Sequence, residues 1–143
     1  MVGIIVTGHG RFATGLTSSI NLIAGPQENY VAVDFEQEVD QLQADLTAAI
    51  ESLKDCEGII VFSDLAGGSP FKTAVLIAQS YQNVEVIAGT NLPMLAGVVM
   101  ARQFGMDTET LVNTALNTGK DQITRFEMSQ IEVEENDDFS DGI

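Results

Sequence analysis

The chain holds one histidine, and it stands in Thr7-Gly8-His9-Gly10, directly after the apolar run of residues 2–6. That run reads as a β-strand, and the residues after Arg11 read as a helix. A glycine on each side of an imidazole at a strand-to-helix turn leaves the ring open to whatever approaches the end of the sheet. A helix N-terminus close by offers free backbone N–H groups, which favour an anion. An imidazole nitrogen in that setting is a nucleophile suited to a phosphoryl group. The plainer alternative is a solvated surface histidine. The flanking glycines argue against it, because glycine is a poor filler unless the backbone needs its freedom.

A second cluster lies in Phe62-Ser63-Asp64-Leu65-Ala66-Gly67-Gly68-Ser69-Pro70-Phe71. A carboxylate such as Asp64, bonded to one imidazole nitrogen, fixes the tautomer and leaves the other nitrogen as the nucleophile. Gly67 and Gly68 permit close backbone approach, and Ser69 offers a hydroxyl to a phosphate oxygen. Ser69-Pro70 is also the expected N-cap and N1 pair of a helix. Phosphoryl transfer asks for little beyond in-line positioning and donors for the equatorial oxygens. Taken separately, Asp64 could do no more than cap a turn, and the glycines no more than shape a loop. No G-x-x-x-x-G-K-[ST] segment is present, and Gly8 and Gly10 are followed by Gly15 at the wrong spacing for a dinucleotide fingerprint. One histidine and one cysteine, Cys56, far apart in sequence make a poor ligand set, so metal binding is not expected.

The elements that must carry these residues alternate along the chain. Residues 12–23 read as a helix with Phe12, Leu16, Ile20 and Ile23 on one face, ended by Gly25-Pro26. A strand follows at 30–35, an amphipathic helix at 39–53, and an all-apolar strand at 58–62 of the kind buried on both faces. Ser69-Pro70 opens a helix to about residue 81, and a strand lies at 84–88. Asn91 caps a helix over 92–104, and another at 108–117 is closed by Gly119. A last short strand is placed at 123–128.

Regular βαβα alternation implies an α/β fold with an open, doubly wound parallel sheet, and the repeats are too few for an eight-fold barrel. In such a sheet ligands bind beyond the carboxyl ends of the strands, where strand order reverses. With order 2-1-3-4, strands one and three are neighbours there, and His9 and Asp64 face each other.

At 143 residues and 45% hydrophobic content, the chain suffices for one globular domain. It carries 21 acidic against 6 basic residues, a net charge of −15, which argues against nucleic acid and against direct docking on anionic lipid. Partners with a basic face are favoured. Seven of the acids lie from Glu127 onward with no base among them, so residues 129–143 read as a solvated acidic tail on a domain of residues 1–128. A single cysteine excludes an intrachain disulfide and suits a reducing compartment. There is no basic signal-type N-terminus, and the apolar stretch 84–101 is broken by Glu85, Asn91 and Pro93. A cytoplasmic protein is expected.

Three segments together resemble a known family. They are Ile5-Val6-Thr7-Gly8-His9-Gly10, then Asp64-Leu65-Ala66-Gly67-Gly68-Ser69-Pro70-Phe71, then Val86-Ile87-Ala88-Gly89-Thr90-Asn91-Leu92-Pro93-Met94-Leu95. In order and spacing they are similar to enzyme IIA of the mannose family of the bacterial phosphoenolpyruvate:sugar phosphotransferase system, over residues 1 to about 126. The resemblance implies a phosphocarrier without metal or organic cofactor. His9 matches the family's phosphorylated histidine, which accepts phosphate from the carrier HPr and passes it to a histidine of enzyme IIB. Enzyme IIB phosphorylates sugar during import through membrane subunits IIC and IID. Asp64 matches the acid that orients the imidazole, and Ser69 the hydroxyl near the phosphate, with Gly67 and Gly68 beside it. The implied fold has strand order 2-1-3-4 and a fifth, antiparallel strand exchanged in a homodimer, which residues 123–128 are placed to supply.

Lys72 after Phe71 and Arg11-Phe12 after the histidine loop depart from many relatives, and neither touches the proposed chemistry. No fused IIB domain follows, so IIB is expected on a separate polypeptide. The nearest rival is the phosphotransfer subunit of bacterial dihydroxyacetone kinase, which shares the fold and the strand-one histidine. The Gly67-Gly68-Ser69-Pro70-Phe71 loop fits the sugar family better. A receiver domain phosphorylated on Asp64 needs an acidic pair after strand one to hold Mg²⁺, and Thr7-Gly8-His9-Gly10 stands there instead. A flavin-type binding module is made unattractive by the acidic charge and the lack of tryptophan.

Overall fold

The computed structural model describes residues 1–128, so the expected acidic tail lies outside the described residues. Four short strands rich in β-branched residues form the sheet: β1 (Gly3–His9), β2 (Tyr30–Phe35), β3 (Ile59–Phe62) and β4 (Val84–Ile87). All pairings are parallel, in the order β2-β1-β3-β4 that the α/β reading anticipates. Five helices connect and follow them: α1 (Phe12–Ala24), α2 (Val39–Ser52), α3 (Ser69–Ala78), α4 (Leu92–Ala101) and α5 (Thr108–Asp121). None among the described residues is long and apolar enough to cross a membrane.

Strand periodicity divides the core in two. Ile4, Val6, Ile60, Phe62 and Ile87 face α1, α4 and α5, where they meet Ile20, Leu95, Val98 and Leu111. Ile5, Val33, Ile59 and Val61 face α2 and α3, where they meet Leu42, Leu46, Ile50 and Ile77. Burial of each such side chain is worth roughly 1.5–3 kcal/mol, well above what helix propensity supplies per residue. The helix faces are therefore set by what the sheet offers. With α1 on one side and α2 and α3 on the other, the chain reverses its direction of travel between β1 and β3.

Several boundaries differ from the sequence expectation, each for a packing reason. β1 runs on to His9 because its pairing with β2 continues through Gly8↔Asp34 and His9↔Phe35. The imidazole is thus borne by the last residue of a strand. Gly8 lies in that strand because a Cβ there would come 2.5 Å from the Phe12 ring. Ser69 is the first residue of α3, and the N-cap is Gly68, with no side-chain cap. α4 tightens into a 3₁₀ turn at Arg102–Phe104 and stops at Gly105, whose φ of 76° is left-handed. Gly119 does not close α5 but sits within it. A Cβ at Gly119 would lie 2.7 Å from Met94 Cε, and its carbonyl accepts a bond from Asn91 Nδ2 at 2.9 Å. Asn91 does cap α4, accepting from the Met94 N–H at 3.0 Å. Residues 123–127 form no strand within the single chain.

Arg102 closes the end of the sheet opposite His9. It is 2% exposed, and its Nη1 donates to the carbonyls of Val2 at 2.9 Å and Asn29 at 3.0 Å. Nη2 donates to the Glu28 carbonyl and to Gln27 Oε1. Burial pulls the guanidinium pKa down, against smaller opposing pulls from Cys56, Tyr30 and Glu28. One fork thus ties together carbonyls at the starts of β1 and β2, that of Asn29 also accepting the Ile4 N–H at 2.9 Å. Arg102→Ala is expected to lower stability by roughly 3 kcal/mol, since a large buried side chain is removed and the Val2 carbonyl loses its donor. Urea unfolding should show a reduced midpoint, and Arg102→Lys should recover less than half of the loss.

Candidate functional site

His9 is fixed by main chain and side chain at once. Its backbone N–H donates to Asp64 Oδ2 at 2.8 Å, and its Nδ1 meets the same oxygen at 2.8 Å. Asp64 follows β3, which the strand order makes the neighbour of β1. The aspartate side chain is 12% exposed and the imidazole 46%. Burial pushes the Asp64 carboxyl up, and the His9 main-chain N–H, the His9 ring and the Leu65 N–H more than offset it, leaving the pKa below its ordinary value. An ionised carboxylate only accepts, so Nδ1 is the donor of this bond, and in the neutral ring the lone pair lies on Nε2.

The wall beside that ring is a backbone. A Cβ on Gly68 would stand 2.8 Å from His9 Cε1, the atom bonded to Nε2, so only glycine lets α3 begin here. Gly67 precedes it with φ 82°, a conformation that glycine adopts without strain. In the first turn of α3, Pro70 has no N–H, and the first helical bond shown there is Lys72 N–H to the Gly68 carbonyl at 2.9 Å. The N–H groups of Ser69 and Phe71 are therefore left free of backbone acceptors, beside an exposed nucleophilic nitrogen. Ser69 is half-buried at the head of the same turn. Such an arrangement can accept a phosphoryl group on Nε2 and place donors around its oxygens.

Residues 3–116 match the family profile EIIA-man, described as "PTS system fructose IIA component". The chain belongs to this family. Curated relatives match over most of the chain. The "PTS system mannose-specific EIIAB component" of Escherichia coli K12 is 31% identical over 133 residues, which is 92% of this chain and 41% of that protein. The chain therefore spans about two fifths of the length of that relative. The "PTS system fructose-specific EIIA component" of Bacillus subtilis is 30% identical over 105 residues, 72% of each chain. The crystal structure of "phosphotransferase system component EIIA" from Streptococcus agalactiae superposes with a TM-score of 0.81 at 31% identity, covering 88% of this chain and 98% of that one.

The enzyme IIA site also contains two residues that sequence reasoning passed over, both at the end of β2. Asp34 accepts the Thr14 N–H at 3.0 Å and the Thr14 hydroxyl at 2.8 Å. It thereby caps α1, whose own N-cap residue Arg11 makes no side-chain cap bond. A carboxylate of the protein thus already stands at the α1 terminus, where it takes the Thr14 N–H. Phe35 meets the His9 ring at 5.7 Å and 67°. Strand order was the signal for both, since order 2-1-3-4 puts the end of β2 beside the end of β1. Beyond Phe35, a cleft of about 390 Å³ lined by Asp34, Glu36, Glu38 and Asp45 is too acidic for a phosphoryl group.

The lowered Asp64 pKa gives a signed expectation. A carboxyl depressed by folding adds stability above its unfolded pKa, and that stability is lost as pH falls through the folded value. Asp64→Asn should cost on the order of 1–2 kcal/mol at neutral pH. The gap to wild type should close on acidification below the ordinary carboxylate range, as read by denaturant unfolding across pH.

Proposed function

We propose that this enzyme IIA is the phosphocarrier of a bacterial sugar phosphotransferase system. The observation that carries the reading is the Nδ1–Asp64 bond of 2.8 Å, which leaves the exposed Nε2 beside the free end of α3. In the forward step, the Nε2 lone pair attacks phosphorus of the phosphohistidine of HPr. The P–N bond to HPr breaks as the P–N bond to His9 forms, and the Nδ1 proton stays on Asp64's side of the ring. Asp64 orients the ring and steadies its charge. Ser69, Gly68 and Gly67 give the phosphoryl oxygens a hydroxyl and a close backbone. The second transfer hands the group to a histidine of enzyme IIB, which serves the membrane subunits IIC and IID. The protein acts in the cytoplasm and reaches the membrane only through that complex. The relatives described above are sugar phosphotransferase components, so this reading stands over the dihydroxyacetone-kinase one.

Incubation with phosphoenolpyruvate, enzyme I and HPr should add one acid-labile phosphoryl group to the intact mass. His9→Ala should fold and take none; phosphoryl uptake by that variant at the wild-type rate would overturn the assignment.

The enzyme IIA is further proposed to act as a homodimer that exchanges the segment 123–128 as an antiparallel strand on β4. Two facts support this. β4 is an open edge of the sheet, and Ile123, Phe126 and Met128 are 76%, 62% and 71% exposed in the single chain. Light scattering should give twice the chain mass, and a monomer at micromolar concentration would contradict the exchange.

A further inference from the structure

The end of β2 grips the histidine turn from the side opposite Asp64. The Phe35 carbonyl accepts the Gly10 N–H at 2.7 Å, forming an isolated antiparallel bridge just past the last parallel pair, His9↔Phe35. Gly10 makes this reversal with φ 58°, which suits glycine. One residue earlier, Asp34 anchors the first turn of α1 through Thr14. Residues 34 and 35 therefore hold the backbone on both sides of the turn that follows His9, while the Phe35 ring lies against the imidazole itself.

A carboxylate on Nδ1 selects one side of the ring but tolerates tilt of the ring within the angular range of a hydrogen bond. The final torsion of histidine is broad and roughly two-fold, so one hydrogen bond does not define the ring plane. Two walls do. Gly68 closes on Cε1, and Phe35 meets the ring at 67°, within the edge-to-face geometry aromatic pairs prefer. Phenylalanine has no group that competes for the Nδ1 proton or for Nε2.

We infer that Phe35 is a positioning residue for the phosphoryl acceptor, holding the imidazole plane so that Nδ1 stays on Asp64 and Nε2 stays beside α3. The inference rests on the reading of His9 as that acceptor. Phe35 acts through the ring and touches no phosphoryl oxygen. Without it the ring samples orientations in which Nε2 is misaligned for in-line attack. A misplacement of about an ångström costs up to roughly a hundred-fold in rate.

Because His9 is the only histidine, its ring nitrogens give one pair of NMR signals that can be read with no phosphoryl donor present. At a pH alkaline enough to leave the imidazole neutral, wild type and Phe35→Tyr should show the widely split shifts of a single Nδ1–H tautomer. Phe35→Leu keeps an apolar side chain and should remain folded by its thermal transition. In that variant the two shifts should draw together, and phosphoryl uptake from phospho-HPr should slow on the order of ten-fold or more. Phe35→Tyr should recover the split shifts. Split shifts with wild-type uptake in Phe35→Leu would overturn the inference. So would a collapse of the shifts in Phe35→Tyr equal to that in Phe35→Leu. If wild type took no phosphate while Phe35→Leu still lost its tautomer, the phosphocarrier reading would fall and the control of the ring by Phe35 would stand.

Discussion

One carboxylate oxygen, Asp64 Oδ2, accepts two N–H groups of the same residue, and the chemistry of the sheet mouth depends on it. The main-chain bond fixes where β1 ends, and the ring bond fixes what the imidazole can offer. Asp64 can do this because its own backbone is held. Ser63 donates to the Ile87 carbonyl through both N–H (2.7 Å) and hydroxyl (2.8 Å), and the Thr90 N–H donates back to Ser63 at 3.1 Å. The Asp64 carbonyl takes the Gly89 N–H, so the chain beyond β3 is laced to the chain beyond β4. The charge on Asp64 is kept by the donors that surround it, against a burial that would neutralise it. Preorganisation here is a matter of backbone bonds reaching a side chain by way of its neighbours.

Charge placement around that pair follows from a simple difficulty. A chain with 21 acids and 6 bases has few cations to spend on a phosphoryl group. Backbone donors at a helix N-terminus supply positive potential without a cationic side chain. Two such termini meet near His9, and the fold treats them differently. α1 holds the Asp34 carboxylate on its Thr14 N–H, while α3 is capped by Gly68, which has no side chain to offer. The free N–H groups are thereby concentrated on the side of the ring where Nε2 is exposed.

The two ends of the sheet divide stability from chemistry. At the N-terminal ends of β1 and β2, a buried Arg102 donates to the carbonyls of Val2 and Asn29 and ties the two strand starts together. At the C-terminal ends, glycines let elements approach closely, with Gly8 under Phe12 and Gly68 against the imidazole. The same device recurs between helices, where Gly119 admits Met94 and turns its carbonyl to Asn91. Rigid strands between these ends keep the histidine and the aspartate in register, though 55 residues separate them in sequence.

Much of this was written in the residues themselves. Alternating apolar runs and helical periodicities fixed the α/β class, because burial on two faces demands continuous apolar strands such as Ile59–Phe62. Glycines flanking His9, and the Asp64-to-Phe71 loop, named the reactive pair from residue types alone. Local pattern was blind wherever a contact was made between elements distant in sequence. It read Gly119 as a helix stop and Ser69 as a cap, since close packing on Met94 and on the imidazole has no local signature. It gave no role to Asp34, Phe35 or Arg102, whose partners are 20, 26 and up to 100 residues away. The sequence by itself determined which groups could react and which layers would bury them. Only the tertiary structure decided which nitrogen is free, which helix terminus is open and what holds the ring, because each depends on side chains converging from separate strands.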